Sequence, residues 1–215
     1  MIGLAIHTSS PELGLAVRAL DEEARGRSQV WPLGRDLTAY LHDCLSDFLQ
    51  PYDWSDLAYL AVARGPGGFT GTRLGVVVAR TLAQQLQIPL FGVSSLAAIA
   101  QHQLLSHAAN AASPPHLAVS LQAQRGEVFG AIYQAQAPGV TPVLPEALYP
   151  QVDWKTQLST WPTPYHLIAA EGGLAHAVEG VLALAHQQWQ AGDRPHWTTV
   201  LPFYGQHPVP SVSRG

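Results

Sequence analysis

The sequence changes from a strand-like run to a helical run at a glycine-rich segment, Arg64-Gly-Pro-Gly-Gly-Phe-Thr-Gly-Thr-Arg-Leu-Gly75. The apolar run at 57–63 predicts a buried strand, and the periodic run at 69–87 predicts a helix. A strand, a glycine-rich turn and a helix N-terminus present free backbone N–H groups to an anion. The glycine spacing matches neither common phosphate-binding motif, so a sharp turn with positive φ angles is the competing interpretation. The candidate phosphate-binding residues are Gly65, Gly67, Gly68 and Thr70.

The helix predicted after this loop carries small residues at every fourth position, namely Gly71, Gly75, Ala79 and Ala83. These positions form one stripe along the helix, which we call the small-residue stripe. Glycine within a helix costs about 1 kcal/mol relative to alanine, and close approach of another backbone would compensate for it. The pattern favours a helix that covers its own sheet with one face and meets a partner with the other. A plain core helix of a single domain is the alternative.

Periodicity predicts two groups of elements, separated by a small-residue and proline segment at 108–115. The first group has a three-stranded meander at 2–8, 13–20 and 25–33, strands at 57–63 and 88–93, and helices at 36–49, 69–87 and from Ser94 or Ser95 to about His107. The second has strands at 116–122, 127–134, 140–149 and 165–170, a helix at 172–190 and an extended tail at 193–215. We therefore expect an N-terminal lobe at 1–107 and a smaller C-terminal lobe with the tail at 108–215.

The charge balance argues against a protein that binds nucleic acid by bulk charge. The chain has 215 residues, with 11 Lys and Arg against 15 Asp and Glu, and a formal net charge of −4. Phosphate neutralisation needs clustered cations instead. Charged residues make up 12% of the chain, against roughly 25% in a typical soluble protein. We therefore expect part of the surface to be covered by a partner.

Several kinds of reactive site lack support in the sequence. The single cysteine, Cys44, excludes a disulfide framework and a multi-cysteine zinc site, and its helical context predicts an inert, buried thiol. No two of the ten histidines are three or four residues apart, as a helical metal pair requires. No serine lies in a G-x-S-x-G motif. These patterns lead us to expect no metal, cofactor or catalytic residue. Because the sequence shows no signal peptide and no run of ~20 apolar residues, we expect a cytoplasmic protein without a membrane partner.

The glycine-rich segment and three others resemble the TsaB (YeaZ) family of the bacterial tRNA threonylcarbamoyladenosine machinery. The others are Ile88-Pro-Leu-Phe-Gly-Val-Ser-Ser-Leu96, Ile6-His-Thr-Ser9 and Gln124-Arg-Gly-Glu-Val128. Together they cover most of residues 1–130. The resemblance implies a two-lobed α/β fold of the actin-like, Hsp70-like and sugar-kinase (ASKHA) class, in which each lobe is a ribonuclease-H-like mixed sheet flanked by helices.

The resemblance also implies a role as an accessory, non-catalytic subunit. Such a subunit pairs with a TsaD-type catalytic subunit, works with a TsaE-type ATPase and meets tRNA only through the complex. Pairing is implied through the helices at 36–49 and 69–87, which would pack with their counterparts as a four-helix bundle. With the small-residue stripe, this predicts the following interface: Leu37, Tyr40, Leu41, Cys44, Gly71, Thr72, Gly75, Val76, Ala79, Arg80 and Ala83. Ala79→Glu or Gly75→Arg is expected to abolish pairing and leave the fold intact.

One departure from the family pattern bears on the chemistry. His7 stands where the resemblance implies an Asp on the first strand, and a neutral imidazole is a poor ligand for Mg²⁺. An active ATPase or phosphotransferase of the actin-like superfamily is the alternative function, and Glu127 or Glu171 would then have to supply the acid. A third interpretation is a homodimeric scaffold that pairs through the same helices. Arg73 and Arg80 are candidate ion-pair donors to an acidic partner helix.

Overall fold

The computed structural model of the chain describes residues 1–20, 26–107 and 115–203. Nearly all of the predicted hinge at 108–115 and the end of the predicted tail, residues 204–215, lie outside the described residues. Each of the nine predicted strands is present, with ends shifted by a few residues. The fold therefore follows from two sheets and the helices that cover them.

The first sheet contains the five strands of the N-terminal half. They are β1 Ile2–His7, β2 Leu13–Ala19, β3 Gly26–Trp31, β4 Leu57–Ala63 and β5 Leu90–Val93, in the order β3-β2-β1-β4-β5. Short connections make β1, β2 and β3 an antiparallel meander, whereas helical crossovers make β4 and β5 parallel to β1. This mixed sheet confirms the ribonuclease-H-like arrangement expected for the first lobe.

The second sheet repeats the first part of this pattern. Its strands are β6 His116–Gln122, β7 Glu127–Gln136, β8 Gly139–Pro150 and β9 Tyr165–Ala170, in the order β8-β7-β6-β9. The first three form an antiparallel meander and β9 is parallel to β6. The predicted hairpin turn has positive φ angles at Arg125 and Gly126. Two mixed sheets flanked by helices confirm the two-lobed, actin-like fold class.

Five α-helices flank the sheets in the described part of the chain: α1 Leu37–Leu49, α2 Phe69–Leu86, α3 Ser95–His107, α4 Gln151–Ser159 and α5 Val178–Gln190. The sequence pattern missed α4, because only Trp154 and Leu158 of its nine residues are buried. The helix predicted at 172–190 begins only at Val178, since Gly172 and Gly173 have positive φ angles and a 3₁₀ turn follows them. Weak periodicity and glycine conformation thus account for both differences.

The first sheet has a separate core on each face, because side chains alternate along a strand. On one face, α1 and α2 bury Leu41, Leu45 and Val76 together with Leu4 and Ile6 of β1. The opposite face packs against α5, where Val178, Val181 and Ala185 join Ala5, Tyr59 and Phe91. The helix that covers this second face therefore comes from the C-terminal half of the chain.

Helix α3 belongs to the N-terminal half of the chain but packs on the second sheet. It follows the last strand of the first sheet, but its Leu96 and Ala100 pack with Val119 and Ala131 of the second sheet. The smaller core on the other face of that sheet is built around Trp154 of α4. Each half of the chain thus contributes one helix to the sheet of the other half, while the division of the chain at residue 107 stays a prediction.

Candidate functional site

The glycine-rich loop packs tightly against the end of β1. A methyl group at Gly67 would overlap the carbonyl oxygen of Ser9, and one at Gly71 would overlap the carbonyl oxygen of Thr8. The N–H of Gly68 donates to the Ser9 oxygen at 2.7 Å. These glycines are therefore required because the two backbones approach too closely for a side chain.

The candidate phosphate-binding residues are only partly free for an anion. Gly65 is buried with a φ of 102°, and a methyl group there would lie 2.7 Å from the carbonyl oxygen of Phe203. Gly67, Gly68 and Thr70 are exposed, but the Gly68 N–H already has an intramolecular acceptor. The N-cap of α2 is Gly68, and no side chain of the described residues caps the helix. The tail and β1 thus occupy much of the space around this loop.

The small-residue stripe faces the protein's own sheet. The Thr8 hydroxyl donates to the Gly71 carbonyl oxygen at 2.8 Å, and a methyl group at Gly75 would overlap that hydroxyl. Ala79 and Ala83 have no exposed surface. The close backbone inferred from these small residues is therefore the end of β1, and the prediction that the stripe meets a partner is corrected.

Burial divides the predicted interface residues into two groups. Seven of the eleven are buried within the chain: Leu37, Leu41, Thr72, Gly75, Val76, Ala79 and Ala83. Gly71, Cys44 and Arg80 are half-buried, while Tyr40 is 52% exposed. Most of the predicted set thus forms the inner face of α1 and α2, where the core beneath the sheet encloses it.

Both helices also present apolar residues away from the sheet, and we call Tyr40, Phe69, Arg73 and Val77 the outer face. Val77 is 59% exposed and Phe69 is 47% exposed. The Arg73 guanidinium lies 5.2 Å from the centre of the Phe69 ring. The sequence pattern did not indicate Phe69 and Val77 as surface residues, because the N-terminal half of α2 is apolar nearly all round and periodicity does not show which side is covered.

Two of the predicted interface residues, Arg80 on α2 and Cys44 on α1, are influenced by neighbours within the chain. The Arg80 guanidinium lies 5.6 Å from the centre of the Trp197 ring, so it packs on the protein's own tail. Burial, followed by the nearby Asp47 and Asp43, raises the pKa of the Cys44 thiol. A thiol that stays protonated is a weak nucleophile, which agrees with the inert cysteine expected from the sequence. The expected burial was wrong, because Cys44 is half-buried on α1.

His7 is enclosed at the end of β1. It has no exposed surface, and burial lowers its pKa to about 3. The Ser9 N–H donates to Nδ1 at 3.3 Å, which assigns the ring proton to Nε2. Nε2 has no hydrogen-bond partner in the described chain. This neutral ring has the wrong donor chemistry for Mg²⁺, which prefers oxygen ligands.

The two candidate acids do not complete a metal site around His7. Glu171 is exposed after β9 and Glu127 is half-buried at the start of β7. Over residues 1–20, 26–107 and 115–203, no group of three or more His, Cys, Asp or Glu side chains is placed to hold a metal ion. No helix within those ranges is long and apolar enough to cross a membrane.

Comparison with known proteins identifies the family. A family model described as "TsaD: tRNA N6-adenosine threonylcarbamoyltransferase" matches residues 37–166. The tRNA threonylcarbamoyladenosine biosynthesis protein TsaB of Bacillus subtilis is 31% identical over 182 residues, which are 83% of this chain and 76% of that protein. The chain belongs to the TsaB family. The TsaB protein of Escherichia coli is 36% identical over a shorter segment of 86 residues, 40% of this chain and 35% of that one.

Solved structures agree with the TsaB assignment. YeaZ from Pseudomonas aeruginosa has a TM-score of 0.77 and 26% identity, over 94% of this chain and 99% of that chain. A second structure, described as an uncharacterized protein with similarity to peptidase YEAZ from the same organism, has a TM-score of 0.77 and 25% identity. It covers 95% of this chain and 99% of the other. The similarity to TsaB and YeaZ thus extends over both sheets.

Proposed function

We propose that this chain is an accessory, non-catalytic subunit in the biosynthesis of tRNA threonylcarbamoyladenosine. It pairs with a TsaD-type catalytic subunit, works with a TsaE-type ATPase and meets tRNA only through that complex. The names of the TsaB relatives support the pathway. The observation that carries the accessory role is the outer face of α1 and α2, where apolar side chains are exposed on helices whose inner face is already filled.

The pairing surface follows from the burial pattern. Tyr40, Phe69 and Val77 are large apolar groups with about half of their surface exposed. On α2, Phe69, Arg73 and Val77 follow at four-residue spacing and lie on one face of the helix, and an exposed apolar patch is typical of interfaces. On α1, Asp43 and Asp47 are exposed as well. Arginine and aromatic residues are enriched at interface hot spots. We therefore place the interface on the outer face, with Cys44 and Arg80 at its margin.

The alternative function, an ATPase or phosphotransferase, has weaker support. His7 is neutral and enclosed, and the loop that would bind phosphate packs against Ser9 and Phe203. Titration calorimetry with ATP and Mg²⁺ is expected to detect no binding to the chain alone. Stoichiometric binding accompanied by hydrolysis would favour the enzyme.

Pairing is tested with two matched substitutions on exposed helical valines. Val77→Glu places a carboxylate within the outer face, while Val152→Glu makes the same change on α4, where the side chain is 73% exposed. Size-exclusion chromatography with light scattering, on mixtures with the TsaD-type subunit of the same organism, is expected to give a one-to-one complex for wild type and Val152→Glu. Val77→Glu is expected to remain folded and lose the complex, because the carboxylate would be buried without a partner.

Three other outcomes of this pairing experiment would change the proposal. A complex that survives Val77→Glu would remove α2 from the interface. A wild-type chain that fails to pair while forming a dimer, which Val77→Glu dissociates, would favour the homodimeric scaffold. No association by a folded wild-type chain would contradict the accessory role.

A further inference from the structure

An irregularity in β8 of the second sheet turns the Glu146 carboxylate toward the glycine-rich loop. Gly130 pairs with Ala147 and Ile132 pairs with Leu144, so that Pro145 and Glu146 together oppose one residue of β7. Such a bulge turns a side chain out of its regular direction, and a proline cannot donate to the ladder. The Glu146 side chain consequently departs from the regular alternation of side chains along β8, and only 14% of it is exposed.

Glu146 meets two residues that belong to the connections of the first sheet. Arg64 Nη2 donates to Glu146 Oε1 at 2.8 Å. The Ser94 hydroxyl donates to Oε2. The same Ser94 oxygen accepts from the N–H groups of Leu96 and Ala97, at 3.2 and 3.4 Å, in the first turn of α3. One carboxylate thus connects the second sheet to the ends of β4 and β5.

Arg64 also contacts the tail, and we call residues 195–203 the strap. The Phe203 N–H donates to the Arg64 carbonyl oxygen at 2.7 Å. The Arg64 guanidinium lies 5.6 Å from the centre of the Phe203 ring, which in turn packs on Phe129 at 6.3 Å. Earlier in the strap, Val200 is buried in the core of the first sheet. The end of the strap therefore lies on Arg64, directly over Gly65.

We propose that Arg64 and Glu146 form a latch that joins the two sheets and holds the strap over the glycine-rich loop. Breaking a hydrogen bond to a charged group shifts a local equilibrium roughly 10- to 100-fold. The pair is partly shielded from water, with 33% of the Arg64 side chain exposed, so solvent screens it less than a surface pair. Loss of the latch releases the end of the strap and loosens the loop from which α2 begins.

Hydrogen–deuterium exchange of the full chain tests the latch directly. The variants are Glu146→Gln, Arg64→Gln and the double substitution. Glu179→Gln is the matched control, because Glu179 is an exposed carboxylate that accepts a hydrogen bond from Ser28 on the other side of the first sheet. We expect exchange in peptides that cover 200–203 and 64–72 to accelerate roughly 10-fold or more in each latch variant. The control and the peptides of α1 should be unchanged.

The double substitution distinguishes a coupled pair from two independent effects. Arg64→Gln also removes the guanidinium from the Phe203 ring, so if Arg64 and Glu146 act on the strap together, the double variant exchanges no faster than Arg64→Gln alone. Additive effects, unchanged exchange in the strap, or uniform acceleration over the whole chain would each overturn the latch. Should the charge variants fail to fold, Phe203→Ala removes the ring and leaves the ion pair. Faster exchange at 64–72 in that variant supports the strap's hold on the loop, and unchanged exchange refutes it.

A second readout rests on the proposed function. Because α2 follows the loop held by the strap, Glu146→Gln is expected to weaken pairing with the TsaD-type subunit several-fold, measured by titration calorimetry. Failure of the wild-type chain to pair would contradict the proposed function, while the exchange measurements would still test the latch. If pairing is unchanged while exchange accelerates, the latch affects only the strap, and the proposed effect on α2 is contradicted.

Discussion

At the scale of single residues, His7 is completely buried and its pKa is strongly lowered. Burial lowers its pKa to about 3 because the charged imidazolium would lose its hydration. Its Nδ1 accepts from the Ser9 N–H, while Nε2 has no partner in the described chain. The residue is therefore a neutral structural group at physiological pH, and its protonation is linked to unfolding.

This burial predicts a stability that falls as the pH falls. An unfolded histidine takes up a proton near its ordinary pKa of about 6.5, whereas folded His7 stays neutral until about pH 3. The unfolded state then binds more protons, so His7 lowers the free energy of unfolding by ~1.4 kcal/mol per pH unit below pH 6.5. His186, whose pKa burial also lowers, adds to the same trend. The quantity to measure is the free energy of urea unfolding at several values from pH 7.5 to 5.

His7→Gln is expected to reduce this slope, and His42→Gln is its control. The control residue is exposed on α1, so its replacement should leave the slope unchanged. A slope that is identical in wild type and His7→Gln would contradict the burial of a neutral His7.

At the scale of the elements, α2 shows how a correct pattern can be assigned to the wrong surface. The small-residue stripe does mark a close approach of two backbones, but the second backbone belongs to β1 and the loop after it. The outer face carries larger side chains instead, including Val77. Small residues indicate how near a neighbour lies, whereas exposure indicates which side is open to a partner.

Ala79→Glu is therefore expected to unfold the protein rather than to act on pairing alone. Ala79 has no exposed surface, and a buried carboxylate without a partner costs several kcal/mol, comparable to the stability of a whole domain. Circular dichroism with thermal unfolding should show loss of the cooperative transition, while Val77→Glu retains it. A folded Ala79→Glu variant with a wild-type melting temperature would contradict the inward orientation of the stripe.

At the scale of the whole molecule, the two halves of the chain are held together by exchanged helices. Helix α5 covers the face of the first sheet that contains Tyr59 and Phe91, and α3 covers the second sheet. Val200 of the strap enters the core on the other face of the first sheet. Each sheet is consequently stabilised by residues from both sides of the expected boundary at residue 107.

A fragment of residues 1–107 is expected not to fold by itself. It would lack α5 and the strap, and one face of its five-stranded sheet would expose apolar residues that are buried in the full chain. Urea unfolding monitored by circular dichroism should show one cooperative transition for the full chain and none for the fragment. Co-expression with residues 108–215 is the control, since it should restore a folded complex. A fragment that unfolds cooperatively without its partner would show that the exchange is dispensable.

The sequence alone determined the local elements and the family. Alternation and helical periodicity report which side of an element is apolar, so the meander, the hairpin at Arg125-Gly126 and most helices could be predicted. The glycine-rich segment was specific because its backbone contacts allow few other residues, as the overlaps at Gly67 and Gly71 show. The signal for α4 was too weak, because only two of its residues face the core.

The neighbour that each apolar face contacts is apparent only from the three-dimensional packing. The assignment of the small-residue stripe to β1, the exchange of α3 and α5, and the convergence of Arg64, Glu146 and Phe203 all join residues far apart along the chain. Periodicity is a local property and specifies no distant partner. Which neighbour covers a face depends on the packing of the whole chain, and that packing leaves Tyr40, Phe69 and Val77 exposed.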